Sequence, residues 1–202
     1  MAMRVLQGTA LAMAVVLAGC ASSPTAEVTR FHLGQPIPSD TIAVVPSPDA
    51  VAPGTAVPLE FATYARAVAA ELARAGFRPV EGPSAYVAVL KIEQTAMQGP
   101  PRAAPFQIGI GGGTGGRGGG IGGSVSVPVG KAPSSEIRTT SLSLRIRRQS
   151  DSTSVWEGRA SQTTAADAAG ASLTVAVPRL AAALLAGFPG KSGAVETVKL
   201  AQ

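Results

Sequence analysis

Three features of this sequence predict an α+β domain: a mixed, mostly antiparallel sheet packed in two layers against two helices. Residues 141–147 (SLSLRIR) alternate apolar and polar without a break, the period of a strand with one face on a core. Residues 59–75 and 177–188 instead carry apolar side chains at helical spacing. Strand-like runs lie before, between and after these two helices, an order that fits one sheet covered on one face. The 202 residues are the size of a single domain.

The first twenty residues read as an export signal. Arg4 gives a positive start, and 11–17 (LAMAVVL) is an apolar run too short to cross a bilayer by itself. Leu17-Ala18-Gly19-Cys20 has the form of a bacterial lipobox: a branched apolar residue, two small ones, then cysteine. In such a box the Cys20 thiol takes a thioether-linked diacylglycerol. Cleavage between Gly19 and Cys20 then frees an amine for a further acyl chain such as palmitate. Each buried methylene contributes ~0.8 kcal/mol, so one chain holds marginally and two or three hold firmly. The competing reading is an ordinary signal cut further along, with Cys20 one more small residue. Ala21, where an Asp would favour the inner membrane, points to the outer membrane. The expected organisation is a lipoprotein signal peptide over 1–19, acylated cysteine and tether over 20–27, and one periplasmic domain over 28–202 with a Gly-rich insertion at 99–131.

The elements then follow in order. Residues 28–33 (VTRFHL) alternate as a first strand, a Pro-punctuated loop follows, and 41–45 (TIAVV) form a second strand. In the first helix Phe61, Tyr64, Val68 and Leu72 make the apolar stripe, and Gly76 is the expected stop just past its end. Residues 86–93 (YVAVLKIE) are a strand, apolar on both faces at its start. Between 109 and 123 there are 11 Gly in 15 positions, flanked by alternating Phe106, Ile108, Ile110 and Val125, Val127, Val129. This reads as a hairpin of two weak strands with a mobile tip, since each ordered glycine costs roughly 0.5–1 kcal/mol. Residues 141–147 and 155–162 form a second hairpin that carries Trp156. The last helix is expected to start near Val177, with Pro178 at its first position where a missing N–H does no harm. It is stopped by Pro189-Gly190, and 195–200 form a last edge strand.

Composition narrows the chemistry. A single cysteine excludes a disulfide framework within the chain, and a single histidine removes paired metal ligands. Neither a metal nor any other cofactor is expected. The formal charge of +5 comes from 17 Lys and Arg against 12 acids. That is basic but lacks the dense, aromatic-interleaved stripe of a nucleic-acid reader, so no nucleic-acid partner is expected. Gly111-Gly112-Gly113-Thr114-Gly115-Gly116 formally fits a dinucleotide fingerprint, yet Ser124-Val125-Ser126-Val127 follows where a helix should open. The carboxylates are dispersed and no nucleophile elbow occurs. No catalytic residue is assigned, and an enzyme is not expected.

The order of these segments resembles the small envelope lipoproteins grouped as domain of unknown function 4136. The residues that carry the likeness are the lipobox, Thr29-Arg30-Phe31-His32-Leu33-Gly34, Ala75-Gly76-Phe77 and Tyr86-Val87-Ala88-Val89. Leu144-Arg145-Ile146-Arg147-Arg148, Val155-Trp156-Glu157-Gly158 and Phe188-Pro189-Gly190 complete it. The resemblance implies the α+β fold and the envelope location, and it carries over no site residue.

Two surfaces are candidates for contact. Arg145, Arg147 and Arg148, with Arg138 and Arg159 nearby, form either an anionic-surface contact for lipid phosphates and similar polymers or a merely solvated face. The Gly-rich hairpin is either a self-association element or a passive linker. His32 reads as a core or edge histidine, and Trp156 as a packing anchor. The functional expectation is a non-catalytic lipoprotein of the outer membrane, held there by acylated Cys20. It would act in envelope structure or assembly through protein partners or self-association. The alternative is a lipid-binding or transport-accessory lipoprotein with an apolar groove.

Overall fold

The computed structural model describes residues 23–51, 56–100, 106–110, 125–129 and 135–201. In chain order the elements are β1 (Thr25–His32), β2 (Thr41–Pro46), α1 (Leu59–Arg74), β3 (Arg78–Pro79), β4 (Tyr86–Gln98), β5 (Phe106–Ile110) and β6 (Val125–Val129). Then come β7 (Glu136–Arg148), β8 (Ser154–Ala165), α2 (Leu173–Leu185) and β9 (Val195–Lys199). Seven strands make one mixed sheet in the order β3-β2-β4-β7-β8-β1-β9. β2 is parallel to β3 and β4, and the other pairings are antiparallel. β5 and β6 form a separate antiparallel pair. The expected Gly-rich tip between them, and the expected signal and Cys20, lie outside the described residues.

The α+β expectation holds, with both helices on one face of the sheet. α1 lies over β2 and β3, α2 over β7, β8 and β1, and the two helices touch. The sheet residues that point toward them alternate along each strand. Val28, Ile42, Tyr86, Ala88, Leu90, Leu142, Leu144, Ile146, Trp156 and Ala160 are buried beneath Tyr64, Val68, Leu72, Val177, Leu180 and Leu184. Period two on the strands and period 3.6 on the helices thus meet in one core.

α1 ends as its sequence predicts. The Phe77 N–H donates to the Leu72 carbonyl at 3.0 Å and the Gly76 N–H to the Ala73 carbonyl at 3.1 Å. Gly76 sits at φ +100°, a left-handed conformation that glycine adopts without strain, so the turn closes as a Schellman motif. Phe77 then drops into the core beside Leu72.

Several boundaries differ from expectation. β1 begins at Thr25, inside the stretch read as tether, because Ala26 is already buried under the helices. β4 continues to Gln98 and β7 begins at Glu136, since the two strands stay paired past the covered part of the sheet. The sequence signal stopped at Glu93 because residues 93–98 lie beyond the part of the sheet that the helices cover, and all six are exposed. β3, two residues long, was not anticipated.

The start of α2 is a correction. The helix begins at Leu173, not near Val177, and Pro178 lies inside it. Its missing N–H costs a bond to the previous turn, about 3 kcal/mol in a helix interior. Against this, the added turn buries Ala176 and places Val177 fully in the core, while the Pro178 ring faces water. The Ala176 N–H donates to the Ser172 carbonyl at 2.8 Å, so the first turn is closed ahead of the proline.

Candidate functional site

Apart from the lipobox, which lies outside the described residues, the segments that carry the sequence resemblance converge at one end of the sheet. β1 presents Arg30 and His32 there, and the chain after α2 passes over them. Arg30 is 3% exposed. Its Nε donates to the Leu184 carbonyl at 2.9 Å and its Nη2 to the Ala183 and Ala186 carbonyls at 2.9 and 3.3 Å. Its Nη1 meets Glu196 Oε2 of β9 at 2.5 Å. A buried cation is tolerable here because the C-terminal carbonyls of α2 carry partial negative charge and Glu196 supplies the rest.

His32 completes the clamp. The Gly34 N–H donates to Nδ1 at 3.1 Å, so Nδ1 is an acceptor and Nε2 carries the proton that it donates to the Gly190 carbonyl at 3.1 Å. Both ring nitrogens are occupied, which leaves neither for a metal or a substrate proton. Trp156 Nε1 donates to the Pro189 carbonyl at 3.0 Å. Phe188 lies 5.4 Å from Trp156 and 5.5 Å from Phe77, which stands edge-on to Tyr86 at 5.7 Å. Four aromatic rings from four segments therefore stack into one chain. Gly158 is required by this packing, because a Cβ there would come within 2.4 Å of the Trp156 ring and 2.8 Å of Leu184. Trp156 is the packing anchor expected of it, whereas His32, expected as a core or edge histidine, is half-buried on an interior strand with both ring nitrogens bonded.

Among the described residues the other face of the sheet carries no helix, and the candidate arginines divide between the two faces. Arg145 and Arg147 sit two apart on the open face, as does Arg159 of β8. Arg148 falls on the opposite side, where it pairs with Asp151 at 2.9 Å. Arg138 likewise falls on the helix side and pairs with Glu136 at 3.0 Å. On the open face Arg145 pairs with Glu157 at 2.9 Å and Lys91 with Glu93 at 3.1 Å. Arg159 Nε donates to Ser141 Oγ at 2.8 Å. Among the described residues Arg147 and Arg159 have no carboxylate partner, and Arg147 Nε is a buried atom without a hydrogen bond. One row crosses five strands as Val45, Val89, Arg145, Glu157 and Phe31, so this face mixes charge with apolar surface. Phe31 and Val195, 55% and 70% exposed, stand at its β1–β9 side. Sequence reading missed both as surface residues, since an alternating strand does not say which face is covered.

Cys20 and Gly19 lie outside the described residues, whose first is Ser23. No described helix is long and apolar enough to cross a membrane. Among the described residues no group of three or more His, Cys, Asp and Glu side chains comes together. A cleft of about 20 Å³ lies between Leu33, Ile37, Tyr86, Arg148 and Val155. A wider groove of about 390 Å³ opens to solvent between the ends of the helices, lined by Glu71, Arg74, Ala75, Ala182, Leu185 and Phe188.

The titrations with a clear direction are structural. Tyr64, which donates to Glu60 Oε1 at 2.5 Å, is pushed up to about 12, first by burial and then by that carboxylate. Asp151 is held below the usual carboxylate range by the Thr153 N–H, helped by Arg148. Neither lies in a cleft with a second reactive group.

The sequence profile described as Domain of unknown function (DUF4136) matches residues 43–190. An uncharacterized protein of Zymomonas mobilis subsp. mobilis is 38% identical over 77 residues, covering 37% of this chain. The match spans 29% of that relative's own length. Among solved structures, a PelC dodecamer from Paraburkholderia phytofirmans is 15% identical with a TM-score of 0.42, over 79% of this chain and 94% of that one. A PDZ domain protein from Parabacteroides distasonis is 10% identical with a TM-score of 0.45, over 95% of this chain and 42% of that one.

Proposed function

We propose, from the premise that the chain belongs to the DUF4136 family, that it is a lipid-anchored lipoprotein of the cell envelope. It acts by contact rather than by catalysis, at the outer membrane and facing the periplasm. The observation that carries this reading is Leu17-Ala18-Gly19-Cys20, a lipobox placed directly after an apolar run that follows Arg4. The distance from that cysteine to the fold supports it. β1 starts at Thr25, five positions after Cys20, so an acylated Cys20 holds the sheet within a few residues of the lipid leaflet.

The polar groups of the motif segments are spent on structure: Arg30, His32 and Trp156 each bond to carbonyls at the end of α2 or in the chain just after it. What remains for partners is the open sheet face, with Arg147 and Arg159 as cations lacking a carboxylate among the described residues. A charge-bearing face beside a membrane favours anionic neighbours, lipid phosphates included.

Mass spectrometry of the native protein tests the reading. A first residue of Cys20 bearing diacylglycerol and an amide-linked acyl chain is expected, and Cys20→Ser should leave the membrane fraction. An unmodified Cys20, or a Cys20→Ser chain that stays with the membrane, would overturn it. Within the same reading, reversing charge at Arg145 and Arg147 should weaken binding to vesicles that contain phosphatidylglycerol; unchanged binding would reduce the arginine face to a solvated one.

A further inference from the structure

The two ends of the main sheet are protected in familiar ways. β3 is two residues long and contains Pro79. β9 is five residues long, carries Glu196 and Lys199, and is tied down by Arg30. Short strands, proline and charge all discourage pairing with another chain. A third edge has no such protection among the described residues. β4 runs for 13 residues, but β2 flanks only Tyr86–Leu90 of it. From Ile92 to Gln98 the side of β4 away from β7 has no backbone partner among the described residues.

The direction of the free groups follows from two bonds. The Leu90 carbonyl accepts from the Ser47 N–H at the β2 side, whereas the Gly99 N–H donates to the Ser135 carbonyl at the β7 side. Successive residues alternate in this direction. Ile92, Gln94, Ala96 and Gln98 therefore point both their N–H and their C=O at the bare edge. Residues 94–98 (QTAMQ) contain no charge, glycine or proline, and Met97 is 58% exposed. Such an edge is a ready template for another strand.

We propose that this edge pairs with the same edge of a second copy, antiparallel about a two-fold axis at Thr95. In that register Ile92 faces Gln98 of the other copy and Gln94 faces Ala96, so all four outward residues of each copy exchange their free backbone groups. On the open-face side Thr95 faces its own equivalent and Glu93 faces Met97. No like charges stand opposite one another, which is the usual obstacle to self-pairing. The segment is complementary to itself, and this is what singles out a second copy over a foreign strand. Gly99 and Pro100 follow directly, and proline cannot continue the ladder where β2 resumes. The pairing joins two sheets into one and uses none of the residues of the arginine face.

The test uses the full chain. Ala96→Pro removes only an N–H that points at the bare edge, so the β4–β7 ladder keeps its bonds, while Thr95→Lys sets two ammonium groups face to face. By analytical ultracentrifugation in mild detergent the parent chain should sediment as a dimer and both variants at half its mass. Thr95→Cys gives a second readout that needs no loss of function: gentle oxidation should link it across the two-fold far more than Glu93→Cys, with the parent, whose single cysteine is Cys20, as control. A monomeric parent, a dimer that survives Ala96→Pro with its circular dichroism intact, or equal crosslinking at 93 and 95 would overturn the proposal. Cys20→Ser separates it from the anchoring reading, because a chain without the lipid should leave the membrane and still pair.

Discussion

The two faces of the main sheet are built from the same strands, yet they obey different rules. On the helix side the residues beneath α1 and α2, among them Val28, Leu144 and Ala160, are fully buried, and the buried polar exceptions have partners. Arg30 meets three carbonyls and a carboxylate, and Gln162 donates to the Gly170 carbonyl at 2.8 Å. On the open side most neighbouring residues in the same strands are half-buried or exposed, with Ala43 and Ser141 as buried exceptions, and the ion pairs stand in water. One face carries the stability of the domain, and the other is free to vary in sequence or to meet a partner.

The largest expected break in this contrast is Arg30→Ala. It removes a buried cation from the end of α2 and frees β9, and should cost about 3–5 kcal/mol in urea unfolding. A loss under 1 kcal/mol would show that the clamp is dispensable. Next comes a pair of neighbours: Leu144→Ala should cost about 2–5 kcal/mol through the cavity it leaves, whereas Arg145→Ala, one residue on, should stay within about 0.5 kcal/mol. Equal losses would erase the distinction between the faces. A double-mutant cycle on Arg145 and Glu157 should then give a coupling below about 1 kcal/mol, as for exposed pairs in general, and it should shrink further with salt.

The finest test is in pH. Tyr64 keeps its proton to higher pH in the folded chain than in the unfolded one, because burial and Glu60 push it up to about 12. Its contribution is complete below the ordinary tyrosine range near 10 and falls away as pH rises from there toward 12. Tyr64→Phe should therefore flatten the loss of stability across that window; an unchanged slope would remove Tyr64 as its cause.

Much of the covered face was legible in the sequence and little of the open one. The alternation of Leu142, Leu144 and Ile146, the stripe from Tyr64 to Leu72 and the stop at Gly76 each follow from local periodicity or a single φ requirement. Pro178 misled because local cost was weighed without the burial of Ala176 and Val177, which only the sheet beneath them supplies. The clamp could not be read at all: His32 and Gly190 are 158 positions apart, and no period links them. The insertion of β1 between β8 and β9 is equally a matter of topology. The arginine group was read as one face, and strand parity splits it, since Arg147 and Arg148 are adjacent and must point to opposite sides. The bare length of β4 escaped notice for the reverse reason, because a strand segment exposed from Glu93 to Gln98 has no hydrophobic pattern to show.

The placement of β1 also bears on force. It lies between β8 and β9 and is antiparallel to both, and the Leu200 N–H bonds to the Pro24 carbonyl at its entrance. A pull on the N-terminal end of this strand loads both flanking ladders lengthwise, so their hydrogen bonds must fail together rather than peel one at a time. A protein tugged from that end resists in shear, the stronger of the two mechanical arrangements a sheet can offer.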